Sequence, residues 1–506
     1  MPGGQDTDIE RRDVAQGAGM AALARLGAVI EVVAQPIYTW LFGIATYGIY
    51  IVLWSAVNMA EKIVDLSLTE ALQRVVPTQQ EDAAHAAVRF ALTVTVIPAT
   101  LIALAVSLNA EAIAGLLSVA PEDAPRLPFI IALFAWALPL WTFIEVATAA
   151  ARARRAFGPE IRLRIFWEQL VRLALAVALF FAGMTSIGLL VAHLLSLALV
   201  AILAVRLLGR YYDLRLLLTA PTTGALRGNL LGSGVALLPS AVTRRTLNDL
   251  PPVLLNVMLP GAQGATAAGL FGIARKVASI PLIVRQAFLY VLAPLSSAQA
   301  ARDRKRIAPL YAFASRISAA LVIPIGGLLI LLGSEILSLF APGAGAAIMM
   351  LTILVAARMG EAVIGPATPI VEMTGHRGWP LVNSLIGIGS WALLAILLTP
   401  SMGGEGMAIA VAVGAVAVAW AAVCELWFAE RLHPFDGLFL RGLAAGLAGF
   451  AALAAIGWAV EPLGAPIRAA ILIVTFLPLC WVTLRLGLDR EDREALGRPA
   501  RTAKLV

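Results

Sequence analysis

Apolar residues fall in long, nearly unbroken runs, such as 187–205 and 407–424, separated by short polar stretches. Strands of a membrane barrel would instead alternate apolar and polar positions over segments of about ten residues. The pattern therefore predicts helices, and about 20 apolar residues match the roughly 30 Å hydrocarbon thickness of a bilayer. It places spans near 18–39, 46–72, 86–107, 127–150, 161–183, 186–207, 229–258, 266–297, 307–332, 344–373, 379–399, 404–429, 438–460 and 466–486. The expected fold class is all-α integral membrane, with fourteen transmembrane helices.

Composition strengthens this reading. The 506 residues are 60% hydrophobic and 14% charged, with a mean hydropathy of +0.87, whereas an average soluble domain is roughly 45–50% apolar and 25% charged. Residues 1–19 are polar and lead to no short apolar core with a small-residue cleavage site, so no removable signal peptide is expected. Cys424 and Cys480 both lie in apolar segments, and no histidine or cysteine pair has metal-ligand spacing. Neither a disulfide, a metal nor a cofactor is expected. The net charge of +7 could suggest nucleic acid, but no basic stripe alternates with exposed aromatics.

Topology accounts for the arginines better. Arg74, the group Arg152, Arg154, Arg155, Arg162 and Arg164, the group Arg206, Arg210, Arg215 and Arg227, and the group Arg302, Arg304, Lys305 and Arg306 mark alternate loops. The loops between them, at 40–45, 108–126, 184–185, 259–265, 333–343, 400–403 and 461–465, hold almost no Lys or Arg beyond Arg126. Lysine and arginine accumulate on the cytoplasmic side of membrane proteins, which puts both termini in the cytoplasm.

Segment 46–52 (TYGIYIV) opens a helix after a short outer turn, and 267–273 (AAGLFGI) does the same, pairing Gly48 and Tyr50 with Gly269 and Phe271. Phe157-Gly158 similarly matches Thr374-Gly375, and Gly188 matches Gly406, at offsets near 220 residues. The expected organisation is an N-terminal lobe at 1–207, a linker at 208–228, a C-terminal lobe at 229–432, a helix pair at 433–487 and a cytoplasmic tail at 488–506. Two six-helix lobes related by a repeat suit a transporter that rocks around a central cavity.

Charges inside the spans point the same way, because an ionisable side chain at mid-bilayer costs about 2.5–3.5 kcal/mol unless it faces a wet or protein-lined interior. Span two carries Asn58, Glu61, Lys62, Asp65 and Thr69 on one stripe. Span seven carries Arg244, Arg245, Asn248 and Asp249, span eight Arg275, Lys276, Arg285 and Gln286, and span ten Arg358, Glu361 and Glu372. Glu31, Gln35 and Glu145 add to these. Arg245 with Asp249 and Arg358 with Glu361 have the spacing of ion pairs within one helix. Arg244, Arg245, Arg275 and Lys276 outnumber the nearby acids, which predicts a bound anion, and guanidinium geometry suits phosphate. His193 has no carboxylate a helical turn away and reads as a packed, hydrogen-bonded side chain.

TYGIYIVLWS, NDLPPVLLNVMLPGAQGATAAGLFGIARK and VEMTGHRGWPLVNSLIGI, in that order and spacing, resemble the oligosaccharide flippases of the multidrug/oligosaccharidyl-lipid/polysaccharide (MOP) exporter superfamily, which includes the MATE transporters. The resemblance runs from about residue 18 to 487. It implies a cationic cavity between two lobes and transfer of an undecaprenyl-diphosphate-linked oligosaccharide to the periplasmic leaflet of a bacterial inner membrane. It further implies that Arg244, Arg245, Arg275, Lys276, Lys62 and Arg25 hold the diphosphate and acidic sugars, and that Glu31, Glu61, Asp65, Asp249 and Glu361 couple transport to protons or Na+. Membrane lipids, a polysaccharide polymerase and chain-length machinery are the implied partners. The last two spans are absent from twelve-helix drug exporters and would form a groove for the polyprenyl tail. The serine- and arginine-rich first-helix signature of peptidoglycan-precursor flippases is not visible in 17–35, so an O-antigen, capsule or exopolysaccharide unit is the expected cargo.

The alternative, a cation-coupled MATE-type drug antiporter, calls for an acidic or aromatic cavity. A membrane polymerase or ligase calls for a large outer loop, but 108–126 holds little beyond Glu111, Glu122 and Asp123. No phosphate-binding glycine loop of the P-loop type occurs, and no enzymatic activity is expected.

Overall fold

The computed structural model describes residues 5–119, 121, 123–154, 156, 158, 161–284, 307–373 and 378–496, and among them there are helices and no strand. The chain divides into two compact units, Met1–Gly269 and Leu270–Val506. In the first stand α1 (Gln5–Asp65), α2 (Leu68–Val75), α3 (Glu81–Leu108), α4 (Ala110–Ala114), α5 (Leu127–Phe134) and α6 (Ala137–Ala153). A π-helical turn (Ile161–Trp167) leads into α7 (Glu168–Phe181), followed by α8 (Gly188–Tyr211), α9 (Leu214–Thr219) and α10 (Gly224–Met258). Helix α11 (Ala262–Ala278) contains the boundary. The second unit holds α12 (Ile307–Leu331), α13 (Gly333–Ser338), α14 (Ile348–Val363), α15 (Ala367–Met373), α16 (Trp379–Glu430), α17 (Gly437–Ala459), α18 (Ala465–Gly487) and α19 (Arg490–Ala495).

Nine helices among the described residues are long and apolar enough to cross a membrane. Helices α7, α10 and α11 fall in the spans expected near 161–183, 229–258 and 266–297 but are shorter or more charged than the nine. Burial runs opposite to that of a water-soluble bundle. Leu477 is 72% exposed, Val474 71% and Phe181 78%, so the outer faces present continuous apolar surface that only a lipid environment accommodates.

Two of the long helices turn back on themselves. At about 1.5 Å per residue a straight 52-residue α16 would extend far beyond any bilayer. Gly403 breaks it with φ 56°, ψ −130°, and the two arms meet where Asn383 Nδ2 donates to Glu425 Oε2 at 2.8 Å. Helix α1 reverses at Gly43, whose φ of 79° and ψ of 161° are open to glycine but strained for other residues. Its arms are tied by Tyr47 Oη donating to Gln35 Oε1 at 2.7 Å.

Small residues set the closest helix contacts, as expected where lipid gives helices no hydrophobic reason to associate. Gly48 of α1 and Gly269 of α11 lie backbone to backbone, and a Cβ on Gly48 would overlap the Ala265 carbonyl. Replacing Gly48 by valine should therefore force α1 from α11 and lower the stability of the purified protein by about 1–3 kcal/mol, the range for overpacking a tight interior. Gly115→Val, where a Cβ would make ordinary contacts, serves as the control.

In the second unit, Gly442 and Gly446 of α17 pack on the Arg316 and Ala319 carbonyls of α12. The basic end of this bundle is closed by the segment after α18. Arg316 donates to Asp492 Oδ2 of α19 at 3.0 Å and to Asp436 Oδ2 at 2.5 Å. Asp436 also caps α17 by accepting from the Phe439 N–H at 2.6 Å. Arg493 in turn donates to the Leu488 carbonyl at 2.8 Å. Asp492→Ala should free α19, seen as amide exchange across 488–495 faster by about tenfold or more, the equivalent of one charge-assisted hydrogen bond.

Candidate functional site

The first unit concentrates charge where α1, α2, α6 and α10 meet. The chain leaves α1 through Leu66 (φ 51°) and Ser67 (φ 56°), a left-handed pair that costs roughly 1–3 kcal/mol per residue and so needs support from its surroundings. Asp65 supplies part of it, accepting from the Thr69 N–H at 3.1 Å and the Thr69 hydroxyl at 2.9 Å. Gly234 of α10 supplies the rest, because a side chain there would overlap the Leu66 carbonyl.

This turn folds Glu70 back over α1. Lys62 Nζ lies 2.8 Å from Asp65 Oδ2 and 3.0 Å from Glu70 Oε1, with Glu70 Oε2 at 3.2 Å. The Thr69 hydroxyl also donates to Glu70 Oε2 at 2.8 Å.

Across the cavity, Glu145 of α6 is gripped by Arg164, Nη2 to Oε1 at 2.8 Å and Nη1 to Oε2 at 3.1 Å. The π-helical turn carries Arg164, whose guanidinium also covers the Trp141 ring at 4.6 Å. From α10, Arg245 Nη1 reaches Asp249 Oδ2 at 3.2 Å, the i,i+4 pair expected from the sequence. Pro251 and Pro252 interrupt the same helix just beyond Asp249 and take away the N–H groups that the Leu247 and Asn248 carbonyls would receive.

These groups enclose a cavity of about 350 Å³ lined by Glu61, Lys62, Thr69, Glu70, Gln73, Glu145, Arg152, Ala241, Arg244, Arg245 and Asn248. Four cations therefore face three carboxylates. Such a lining suits a polyanion that also carries hydrogen-bond donors, since arginines fix phosphate oxygens by fork geometry while carboxylates accept from hydroxyls.

The structure thus brings Lys62, Arg244, Arg245 and Glu61 to one cavity, with Asp65 and Asp249 each paired to one of its cations. Arg275 and Lys276 stand half-buried in the last turn of α11, in the second unit. Glu361 pairs there with Arg358, Nη1 to Oε2 at 2.6 Å, again as the spacing predicts. The Arg25 side chain lies outside the described residues, as do Arg285 and Gln286 and the Glu372 side chain.

A second charged group was legible in sequence but not singled out. Glu168, Gln169 and Arg172 share one face of α7, the same i,i+4 signature that marks span two. Arg172 is 4% exposed; its Nη1 lies 2.9 Å from His193 Nε2, 3.3 Å from Tyr50 Oη and 3.4 Å from Glu168 Oε1, and its Nη2 donates to Gln169. Glu31 of α1 lies within electrostatic range of the same guanidinium. The fold thus gives His193 the carboxylate that its own helix lacks, Glu168 Oε1 at 3.8 Å. Because Arg172 can only donate, His193 Nε2 is the acceptor and the ring is neutral, held as a hydrogen-bonded side chain.

Residues 37–341 match the sequence profile of a family described as polysaccharide biosynthesis protein. No curated protein matches the chain in sequence. Among solved structures, it is similar to a lipid II flippase, MurJ, in an inward closed conformation, with a TM-score of 0.70 at 10% identity over 92% of this chain and 98% of that one. It is also similar to an inward-facing multidrug resistance MATE family transporter of the MOP superfamily, with a TM-score of 0.63 at 14% identity over 81% and 94% of the two chains. A MOP superfamily transporter from Pyrococcus furiosus, described as having a binding pocket of reverse polarity, follows at 0.59 and 13% identity over 81% and 92%. These likenesses show the fold, the helical one expected from the sequence, and the nine long apolar helices among the described residues mark a multi-pass membrane protein. The match over more than half of the chain adds the family: the protein belongs to the polysaccharide biosynthesis protein family, on the fold of the MOP superfamily transporters.

Proposed function

We propose that this protein is a flippase that carries an undecaprenyl-diphosphate-linked oligosaccharide from the cytoplasmic to the periplasmic leaflet of the bacterial inner membrane, for O-antigen, capsule or exopolysaccharide synthesis. The observation that carries the proposal is the cavity in which Lys62, Arg152, Arg244 and Arg245 converge inside a membrane-embedded unit. A diphosphate crossing the bilayer interior must exchange its hydration for protein charges, and these supply them. Arg275, Lys276 and Arg25 are proposed to extend the anion-binding set. Glu31, Glu61, Asp65, Asp249 and Glu361 are the proposed positions at which a proton or Na+ couples to alternating access. The positive-inside pattern supports cytoplasmic termini, and a polysaccharide polymerase with its chain-length machinery would receive the product.

Depletion of the protein in cells that make the polysaccharide tests the reading. The lipid-linked unit should accumulate in the cytoplasmic leaflet, inaccessible to an externally added glycosidase. Unchanged accessibility together with increased retention of a cationic dye would instead identify a drug antiporter.

A further inference from the structure

Three carboxylates line the cavity, and their oxygens are not equivalent. Both oxygens of Glu70 lie within hydrogen-bond reach of Lys62, and both oxygens of Glu145 are held by Arg164. Glu61 differs: it is 2% exposed, it lines the cavity, and its Oε2 has no hydrogen-bond partner among the described residues. Its neighbour Lys62 is turned toward Asp65 and Glu70, and Arg245 toward Asp249. A carboxylate oxygen so enclosed is costly unless a donor reaches it.

We infer that Glu61 is the specificity-determining residue that reads the sugar attached to the diphosphate, accepting a hydrogen bond from one of its hydroxyls. The inference rests on the flippase reading and assigns a task to one residue of the same cavity. An ionised diphosphate offers only acceptors, which suit the arginines, whereas an ionised Glu61 Oε2 calls for a donor. The next group along the cargo is a sugar, whose hydroxyls are donors. Geometry thus divides the lining into a cationic part for the phosphates and one acceptor for the unit they carry. A site built to hydrogen-bond a hydroxyl rejects an analogue lacking it, because the buried acceptor is then left unmade.

The test compares two cargoes in proteoliposomes: a polyprenyl-diphosphate-linked disaccharide and the same lipid with its sugar hydroxyls O-methylated. The wild type should move the hydroxylated cargo faster by about tenfold or more, the worth of one hydrogen bond to a charged acceptor. Glu61→Ala should bring the two rates together by slowing the hydroxylated cargo. Glu61→Gln, nearly identical in shape, should keep the fold and a reduced preference. A preference that survives both substitutions, an equal slowing of both cargoes, or loss of ion-gradient dependence with the preference intact would overturn the inference. Failure of the wild type to move either cargo would instead remove the flippase reading on which it stands.

Discussion

Arg244→Ala slows leaflet exchange of the lipid-linked oligosaccharide by about 10- to 100-fold, the loss of one charge-assisted hydrogen bond to phosphate, while the protein inserts and folds as before. The neighbouring Arg245 holds Asp249, which is only 5% exposed, so Arg245→Ala mixes loss of a cavity cation with loss of a carboxylate's partner. Combining Arg245→Ala with Asp249→Asn separates the two. Arg244→Lys recovers part of the rate, because an ammonium restores charge but not the two-pronged grip of a guanidinium. Arg490→Ala, which removes an 82% exposed side chain paired with Glu494 one turn on, leaves the rate unchanged. Exchange measured with a fluorescent cargo across this set checks the prediction.

The second large effect is on stability. Arg172 joins α1, α7 and α8 through Tyr50, Glu168, Gln169 and His193. Arg172→Met leaves Glu168, itself 3% exposed, as a buried carboxylate without its cation, and breaking such a pair costs about 3–5 kcal/mol. Adding Glu168→Gln recovers most of the loss, because both charges are then gone and the amide still hydrogen-bonds. Arg172→Lys does not, since one ammonium cannot reach three elements. Thermal unfolding in detergent of the two single variants and the double variant measures the coupling directly. Equal losses from Arg172→Met alone and from the double variant would show that Glu168 does not depend on Arg172.

Much of this architecture is written in the chain as periodicity. The apolar runs locate the helices, and Gly43 and Gly403 mark where two of them reverse, because at each the backbone inside the helix enters a region that favours glycine. The stripe of Glu61, Lys62 and Asp65 and the group on α10 pointed to the cavity, since charges in apolar helices need an interior to face. What the sequence did not reveal is pairing at a distance. Spacing shows that Arg245 can reach Asp249, but nothing local shows that Arg164 takes Glu145 nineteen positions away. Nor does it show that Lys62 is shared with Glu70 beyond a left-handed turn. The pairing within α7 was legible by the rule applied to α1. Glu168 and Arg172 stand four apart inside the span expected near 161–183, as Arg245 and Asp249 do in theirs.

One measurement tests the central claim most directly. The purified protein is reconstituted in vesicles with a fluorescent undecaprenyl-diphosphate-linked oligosaccharide, and quenching from outside follows its leaflet exchange with and without an imposed proton or Na+ gradient. Exchange that depends on the protein, responds to a gradient and falls with Arg244→Ala is the predicted result. Exchange no faster than in protein-free vesicles, with uptake of a cationic dye driven by the same gradient, would contradict it.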